Sequence, residues 1–211
     1  MAHIKCVNVD YEGHIVITFN GNHKIFGSFI PPRDSMYFSE QCFYEMINIL
    51  EPINSNYVIF GGGDMNSRIG NLFKSLRPPT NDSFYRNNID EITNNHGQLL
   101  YDICKAYKYY SLNNLTIHNV EFDGKFTFQK DIRKSQNDVC ISNKNGLNNI
   151  SAFKIYNDIA FNFSDHTPIS VTAEIQIDTT PRYSQVTQDL LSQPCSHIDN
   201  RQRKINDKLV N

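Results

Sequence analysis

The chain has 211 residues, 39% of them hydrophobic and 20% charged, with a formal net charge of -2. That length holds one sizeable core without requiring a second domain, and the composition excludes a disordered chain. A balance this close to neutral also excludes a global positive field, so any contact with nucleic acid must come from a local basic patch.

Five cysteines, Cys6, Cys42, Cys104, Cys140 and Cys195, are irregularly spaced and include no C-x-x-C pair of the kind that builds a zinc site. They read as reduced structural thiols. Met1 is followed by no apolar run of signal-peptide length, and no stretch of about 20 apolar residues occurs. The expectation is a nuclear or cytoplasmic protein, not secreted, with no membrane partner.

In chain order, two apolar runs, Ile15-Val16-Ile17-Thr18-Phe19 and Ile25-Phe26-Gly27-Ser28-Phe29-Ile30, flank Asn20-Gly21-Asn22. Asn-Gly supplies the positive backbone dihedrals of a tight turn, so 13–32 is predicted as a hairpin. Over 35–50, Met36, Phe43, Met46, Ile47 and Leu50 recur at helical spacing behind Asp34 or Ser35 as an N-cap. A short buried strand, Tyr57-Val58-Ile59-Phe60, then runs into a Gly61-Gly62-Gly63-Asp64 loop, and 72–95 reads as an extended surface loop. Helical periodicity returns over 96–107 through Leu99, Leu100, Ile103, Cys104 and Tyr107. Strands are predicted at 110–112, 125–129, 137–142, 151–156 and 168–177. Strands alternating with helices, then strands alone, predict an α/β (α+β) class with two sheets flanked by helices. The domain spans 1–178, and 179–211 is a polar tail or linker with a basic Arg201-Gln202-Arg203-Lys204 cluster and one weak helix at 186–191.

Three polar clusters end predicted strands: Gly63-Asp64-Met65-Asn66, Gln136-Asn137-Asp138 and Ser164-Asp165-His166. Strand ends in an open α/β sheet converge on one rim, so the clusters can build one site. Asp64 and Asn66, two apart, point the same way from an extended segment and give one carboxylate and one amide. A carboxylate orients and deprotonates water, and an amide nitrogen donates to a non-bridging phosphate oxygen. Asp138 can hydrogen-bond His166 and favour its imidazolium, and oxygen-rich ligands favour Mg²⁺ or Mn²⁺. Each cluster alone also reads blandly: a polar turn after glycines, a loop closing before an edge strand, an exposed strand residue paired across a sheet. Gly61-Gly62-Gly63 lacks the Gly-Lys-Ser/Thr of a nucleotide P-loop, and no G-x-S-x-G elbow accompanies His166.

The ordered series Phe26-Gly27-Ser28-Phe29-Ile30-Pro31-Pro32, Gly62-Gly63-Asp64-Met65-Asn66-Ser67-Arg68-Ile69-Gly70, Phe126-Thr127-Phe128, Ser135-Gln136-Asn137-Asp138-Val139-Cys140-Ile141-Ser142 and Ser164-Asp165-His166-Thr167-Pro168-Ile169 resembles the endonuclease/exonuclease/phosphatase superfamily. The resemblance spans 13–177. The doubled proline and the Ser-Gln-Asn-Asp variant look most like the endonuclease domains of non-LTR retrotransposons. It implies a four-layer deoxyribonuclease I-like sandwich, a DNA substrate, Mg²⁺ (with Mn²⁺ as the alternative), and a reverse transcriptase domain beyond 179–211 in the parent polyprotein. By the same resemblance, Asp64 aligns the attacking water, Asn66 holds it and the phosphate, Asp165 is the metal-site aspartate, His166 contacts the scissile phosphate, and Asp138 orients it. Phe29 and Arg68 join Asn66 as substrate contacts. Two departures stand out: Phe29 replaces the family tyrosine, removing a phosphate-contacting hydroxyl, and the metal-binding glutamate and the strand and helix around it have no room before the hairpin. Asp10 and Glu12, expected in a turn, are the only acidic candidates to replace that glutamate. A non-catalytic retrotransposon-derived remnant or binding module, and an inositol or phosphomonoester phosphatase of the same fold, are the alternatives.

Overall fold

The computed structural model describes residues 4–11, 13–19, 23–51, 57–78, 85–117, 120–156 and 164–175. The chain opens with an antiparallel meander of β1 (Ile4–Tyr11), β2 (His14–Phe19) and β3 (His23–Ser28), then crosses through helix α1 (Gln41–Leu50) to β4 (Ile59–Asp64), which lies parallel to β3. A short β5 (Tyr85–Arg86) precedes helix α2 (Asn95–Tyr107) and strands β6 (Tyr109–Ser111), β7 (Leu115–Ile117) and β8 (Val120–Glu121). A small hairpin of β9 (Phe128–Lys130) and β10 (Arg133–Ser135) leads to β11 (Asp138–Asn143), the short helix α3 (Lys144–Asn149), β12 (Ile150–Ile155) and β13 (Ile169–Ala173). The main sheet has the order β1-β2-β3-β4-β11-β6, and smaller sheets are formed by β12-β13 and β5-β7-β8.

Side chains leave the main sheet with the two-residue period of extended chain and separate into two cores. On β11, Val139 and Ile141 join Phe26 and Ile59 beneath α1 and α2, where Phe43, Met46, Ile49, Leu50, Leu100 and Ile103 are buried. Cys140 points the other way with Phe60, into a second core of Leu115, Phe122, Leu147, Phe153 and Ile155. The result is helices, sheet and a further β layer, the mixed α/β sandwich expected. Each fully buried aliphatic or aromatic side chain of these cores contributes about 1.5–3 kcal/mol of transfer free energy.

The 13–32 hairpin forms, with β2 and β3 paired from Phe19 opposite His23 to His14 opposite Ser28, although its Asn20-Gly21-Asn22 turn lies outside the described residues. Also outside them lie Glu12, the 179–211 tail and its helix at 186–191. Asp10 belongs to β1, not to a turn. Helix α1 begins at Gln41, well after the expected cap at Asp34 or Ser35. Ser35 Oγ accepts from Tyr37 N (3.2 Å) in a local turn, a competing use of a serine hydroxyl, and Glu40 stands at the N-cap without a side-chain bond. Helix α2 starts where the periodicity does, with the Asn94 side chain accepting from Gly97 N (2.8 Å).

The glycine run expected as a loop is the centre of β4. It pairs with β3 on one side and β11 on the other, and a Cβ on Gly61 would fall on the Phe26 carbonyl oxygen, one on Gly62 on that of Val139. Close approach of three backbones, not a turn, is what glycine permits here. The 72–95 surface loop is likewise corrected: it holds a 3-10 turn (Leu72–Lys74) with Phe73 fully buried, and β5.

Candidate active site

The first two clusters meet by strand register. β11 starts where β4 ends, and the antiparallel pairing sets Asp138 opposite Asp64. Directly opposed residues share a face, so both carboxylates stand on the rim above the second core. Alternation from Phe26 and Ile30, both in the helix-side core, places the half-exposed Phe29 on that same face.

The third cluster is brought in by Thr127 and the start of β9. Thr167 N donates to Thr127 O (2.7 Å), Gln129 N donates to Asp165 O (2.8 Å), and Phe128 and His166 form an isolated bridge. The Phe128 ring meets the imidazole edge-on at 5.2 Å between centroids. Buried Thr127 also holds the start of β11, its Oγ1 accepting from Asn137 N (3.1 Å) and Asp138 N (3.0 Å).

Here His166 sits between two carboxylates. Its Nδ1 lies 3.0 Å from Asp138 Oδ2 and its Nε2 3.6 Å from Asp64 Oδ2. One ligand atom from each of the three residues lies within 4.8 Å of the others. Burial raises the Asp64 carboxyl above its ordinary range, the Asn66 amide opposes this, and the negative charges of Asp138 and Asp165 add to it against the pull of His166.

Asn66 reaches the site differently from the extended geometry expected. It adopts φ +47°, the left-handed conformation asparagine tolerates, and its N–H donates to Asp64 Oδ1 (3.0 Å), so a tight Asx turn fixes the carboxylate. Its side-chain Nδ2 donates to Ile30 O (2.9 Å). The exposed Asp165 carboxylate acts on Asp64 through its charge but stands outside the three-residue cluster among the described residues. Arg68 is held by Asp90 through Nε to Oδ2 (2.9 Å) and a second guanidinium nitrogen to Oδ1 (2.7 Å).

Sequence reasoning missed Asp90 and Asn94. Asn94 Nδ2 donates to Asn66 O (2.8 Å), and its Oδ1 accepts from Arg68 N (3.1 Å), so the N-terminus of α2 is tied to the Asx turn. Neither residue carries a motif. The only signal was a cluster of polar residues between Tyr85 and the start of a helix.

The donor set suits a hard divalent cation in part. Asp64 and Asp165 offer carboxylate oxygens, and Mg²⁺ or Mn²⁺ accepts one or two carboxylates with water and phosphate completing its shell. The imidazole, bonded to Asp138 through Nδ1, turns Nε2 toward Asp64, where it can ligate a cation when neutral or donate to an anion when protonated.

No family model matches the sequence, and no curated protein does. Solved structures do match. The endonuclease domain of TRAS1, a telomere-specific non-LTR retrotransposon, superposes with a TM-score of 0.50 and 16% identity, over 78% of this chain and 64% of that one. An AP endonuclease from Archaeoglobus fulgidus gives 0.55 and 12% identity, over 82% and 72%. The 3′ phosphatase NExo from Neisseria, bound to product DNA hairpin, gives 0.55 and 10%, over 82% and 72%. The chain spans under two thirds of the retrotransposon domain's length. At these identities the likeness is one of fold alone, and the fold is the deoxyribonuclease I-like α/β sandwich.

Proposed function

We propose that this chain is a metal-dependent phosphodiester hydrolase, a retrotransposon-type endonuclease that nicks DNA, with 1–178 as the nuclease domain and 179–211 as a linker toward a reverse transcriptase. The observation that supports this most directly is the His166 imidazole set between Asp138 at 3.0 Å and Asp64 at 3.6 Å at the converging strand ends. A nuclear or cytoplasmic location goes with that reading, and no helix among the described residues is long and apolar enough to cross a membrane.

Asp64 orients the attacking water and takes its proton, a role helped by a carboxyl that burial makes more basic. Asn66, locked by its turn, holds water and phosphate. His166, its ring fixed by Asp138, donates to a non-bridging oxygen of the scissile phosphate, where negative charge grows in the transition state. Phe29 lines the same face of the rim as a substrate contact, and Arg68, paired with Asp90, serves as a further contact two residues beyond Asn66. Mg²⁺, or Mn²⁺ in its place, held by Asp165, would neutralise phosphate charge. The bond broken leaves a 3′-hydroxyl.

The likeness to a structure described as a 3′ phosphatase on a DNA hairpin supports a second reading, a phosphomonoesterase acting at DNA ends with the same residues. Purified chain incubated with supercoiled plasmid and Mg²⁺, beside Asp64→Ala, His166→Ala and an EDTA control, separates the readings. Nicking lost in both variants supports the endonuclease. Release of phosphate from a 3′-phosphorylated oligonucleotide without nicking supports the phosphatase, and neither activity from folded chain leaves a binding module.

A further inference from the structure

The segment 85–90 is built inside out. Burial alternates along it, but the buried positions are Arg86, Asn88 and Asp90, while Tyr85 and Ile89 are 63% and 44% exposed. Polar groups enter an interior only when hydrogen-bonded, and these are: Arg86 donates to the Asn113 and Ser111 carbonyls, and Asn88 to that of Gly70. Asp90 is the most heavily used. Its two oxygens accept four donors: Arg68 Nε (2.9 Å) and Gln136 N (2.9 Å) on Oδ2, and the other Arg68 nitrogen (2.7 Å) and Ile92 N (3.1 Å) on Oδ1.

Three of those donors come from the two sides of the site, and the fourth, Ile92 N, is local. Arg68 follows Asn66 by two positions, and Gln136 precedes Asp138 by two. Four residues on, Asn94 makes a second tie to the Asn66 turn. The sheet itself joins β4 to β11 only as far as Asp64 and Asp138. Beyond that pair, the 90–94 segment bridges the two chains where they leave the ladder.

We propose that Asp90 is a positioning residue, a buried carboxylate brace that fixes the Asn66 turn and the start of β11 relative to one another and so sets the spacing of Asn66, Asp64, Asp138 and His166. It touches no substrate. Its catalytic consequence rests on the hydrolase reading above, but the brace itself does not. A neutral isostere breaks it by simple chemistry: an asparagine at 90 has one acceptor oxygen, so two of the four donors would face an NH₂ group.

The test uses the full 211-residue chain and its Asp90→Asn variant. Hydrogen exchange followed by mass spectrometry should show the peptides covering 64–68 and 134–139 exchanging faster together, by about tenfold, while the α1 peptide is unchanged. Hydrolysis of a labelled DNA duplex should lose about 10–100-fold in kcat with KM held within about twofold, because displacement of positioned groups costs turnover more than binding. Asp102→Asn, which removes an exposed carboxylate of α2, is the control and should do neither. Faster exchange in only one of the two segments, or in neither, overturns the brace, and an unchanged kcat when both have loosened overturns its positioning role. If wild-type chain does not hydrolyse DNA but both segments loosen together, the brace stands and the hydrolase reading falls. Should Asp90→Asn not fold, Arg68→Gln removes two of the four donors from a partly exposed position and must give the same paired loosening in weaker form.

Discussion

Changing Asp138 to asparagine or alanine separates the fixing of His166 from the balancing of its charge. The backbone at 138 is held without the carboxylate: its N–H donates to Thr127 Oγ1 (3.0 Å) and its carbonyl accepts from Asn113 Nδ2 (2.9 Å). The strand therefore stays in place when the side chain changes. The Asp138 side chain is 10% exposed and that of His166 30%, so the 3.0 Å bond between them is only partly screened. A charge-assisted hydrogen bond of this kind contributes about 1.5–3 kcal/mol, equivalent to about 10–100-fold in rate. Asparagine can still accept from Nδ1–H and keep the ring oriented, but it does not balance an imidazolium. We expect a loss of about 10–30-fold for Asp138→Asn and about 100-fold for Asp138→Ala in steady-state hydrolysis of a labelled duplex, with melting temperatures within about 4 °C of wild type. A loss below about threefold for both variants would refute the pairing as a catalytic device, whereas activity falling in step with melting temperature would show that the strand start had collapsed.

Asp64→Asn should abolish hydrolysis while stabilising the fold. Burial holds the Asp64 carboxyl above its ordinary range, so the folded state binds its proton more tightly than the unfolded state, and stability is lost as pH rises from the unfolded value through the folded one. The variant is expected to melt higher than wild type at pH 7, and the advantage to vanish below about pH 4, where the carboxyl is protonated in both states; an equal or lower melting temperature at pH 7 contradicts this. On β4, Gly62→Ala should cost at least about 3 kcal/mol in urea titrations, because its Cβ would meet the Val139 carbonyl and the Cys140 Cα, while Gly27→Ala, which meets nothing within 4 Å, should be near neutral. Equal midpoints for the two alanine variants would undo that account of the glycine run.

How far the sequence spoke for the structure depended on whether the deciding contacts were local. The β2-β3 hairpin was legible because alternation and an Asn-Gly turn are short-range, and α2 because its apolar spacing is regular over three turns. β1 was not legible, since Asn8 and Asp10 interrupt its apolar pattern and only pairing with β2 makes it a strand. The glycines of β4 look like a loop until the two flanking backbones are in view. In the site, Asp64, Asp138 and His166 were picked out by order and type, and the fold brings them together. The Asx turn at Asn66 and the brace at Asp90 were hidden, because a polar residue in a polar stretch looks the same whether it faces water or four hydrogen-bond donors.

The position of β11 between β4 and β6 bears on how the protein acquires its site. A late segment of the chain must insert into the middle of a sheet whose other strands were made earlier, and only then does Asp138 find Asp64 and offer His166 a partner. Pairings between residues so distant along the chain carry a high entropic cost of loop closure and form slowly. Until that insertion, β4 is an edge whose glycine run carries no side chains to block pairing with another molecule, so aggregation during refolding and recovery of the assembled rim would be competing fates of one intermediate.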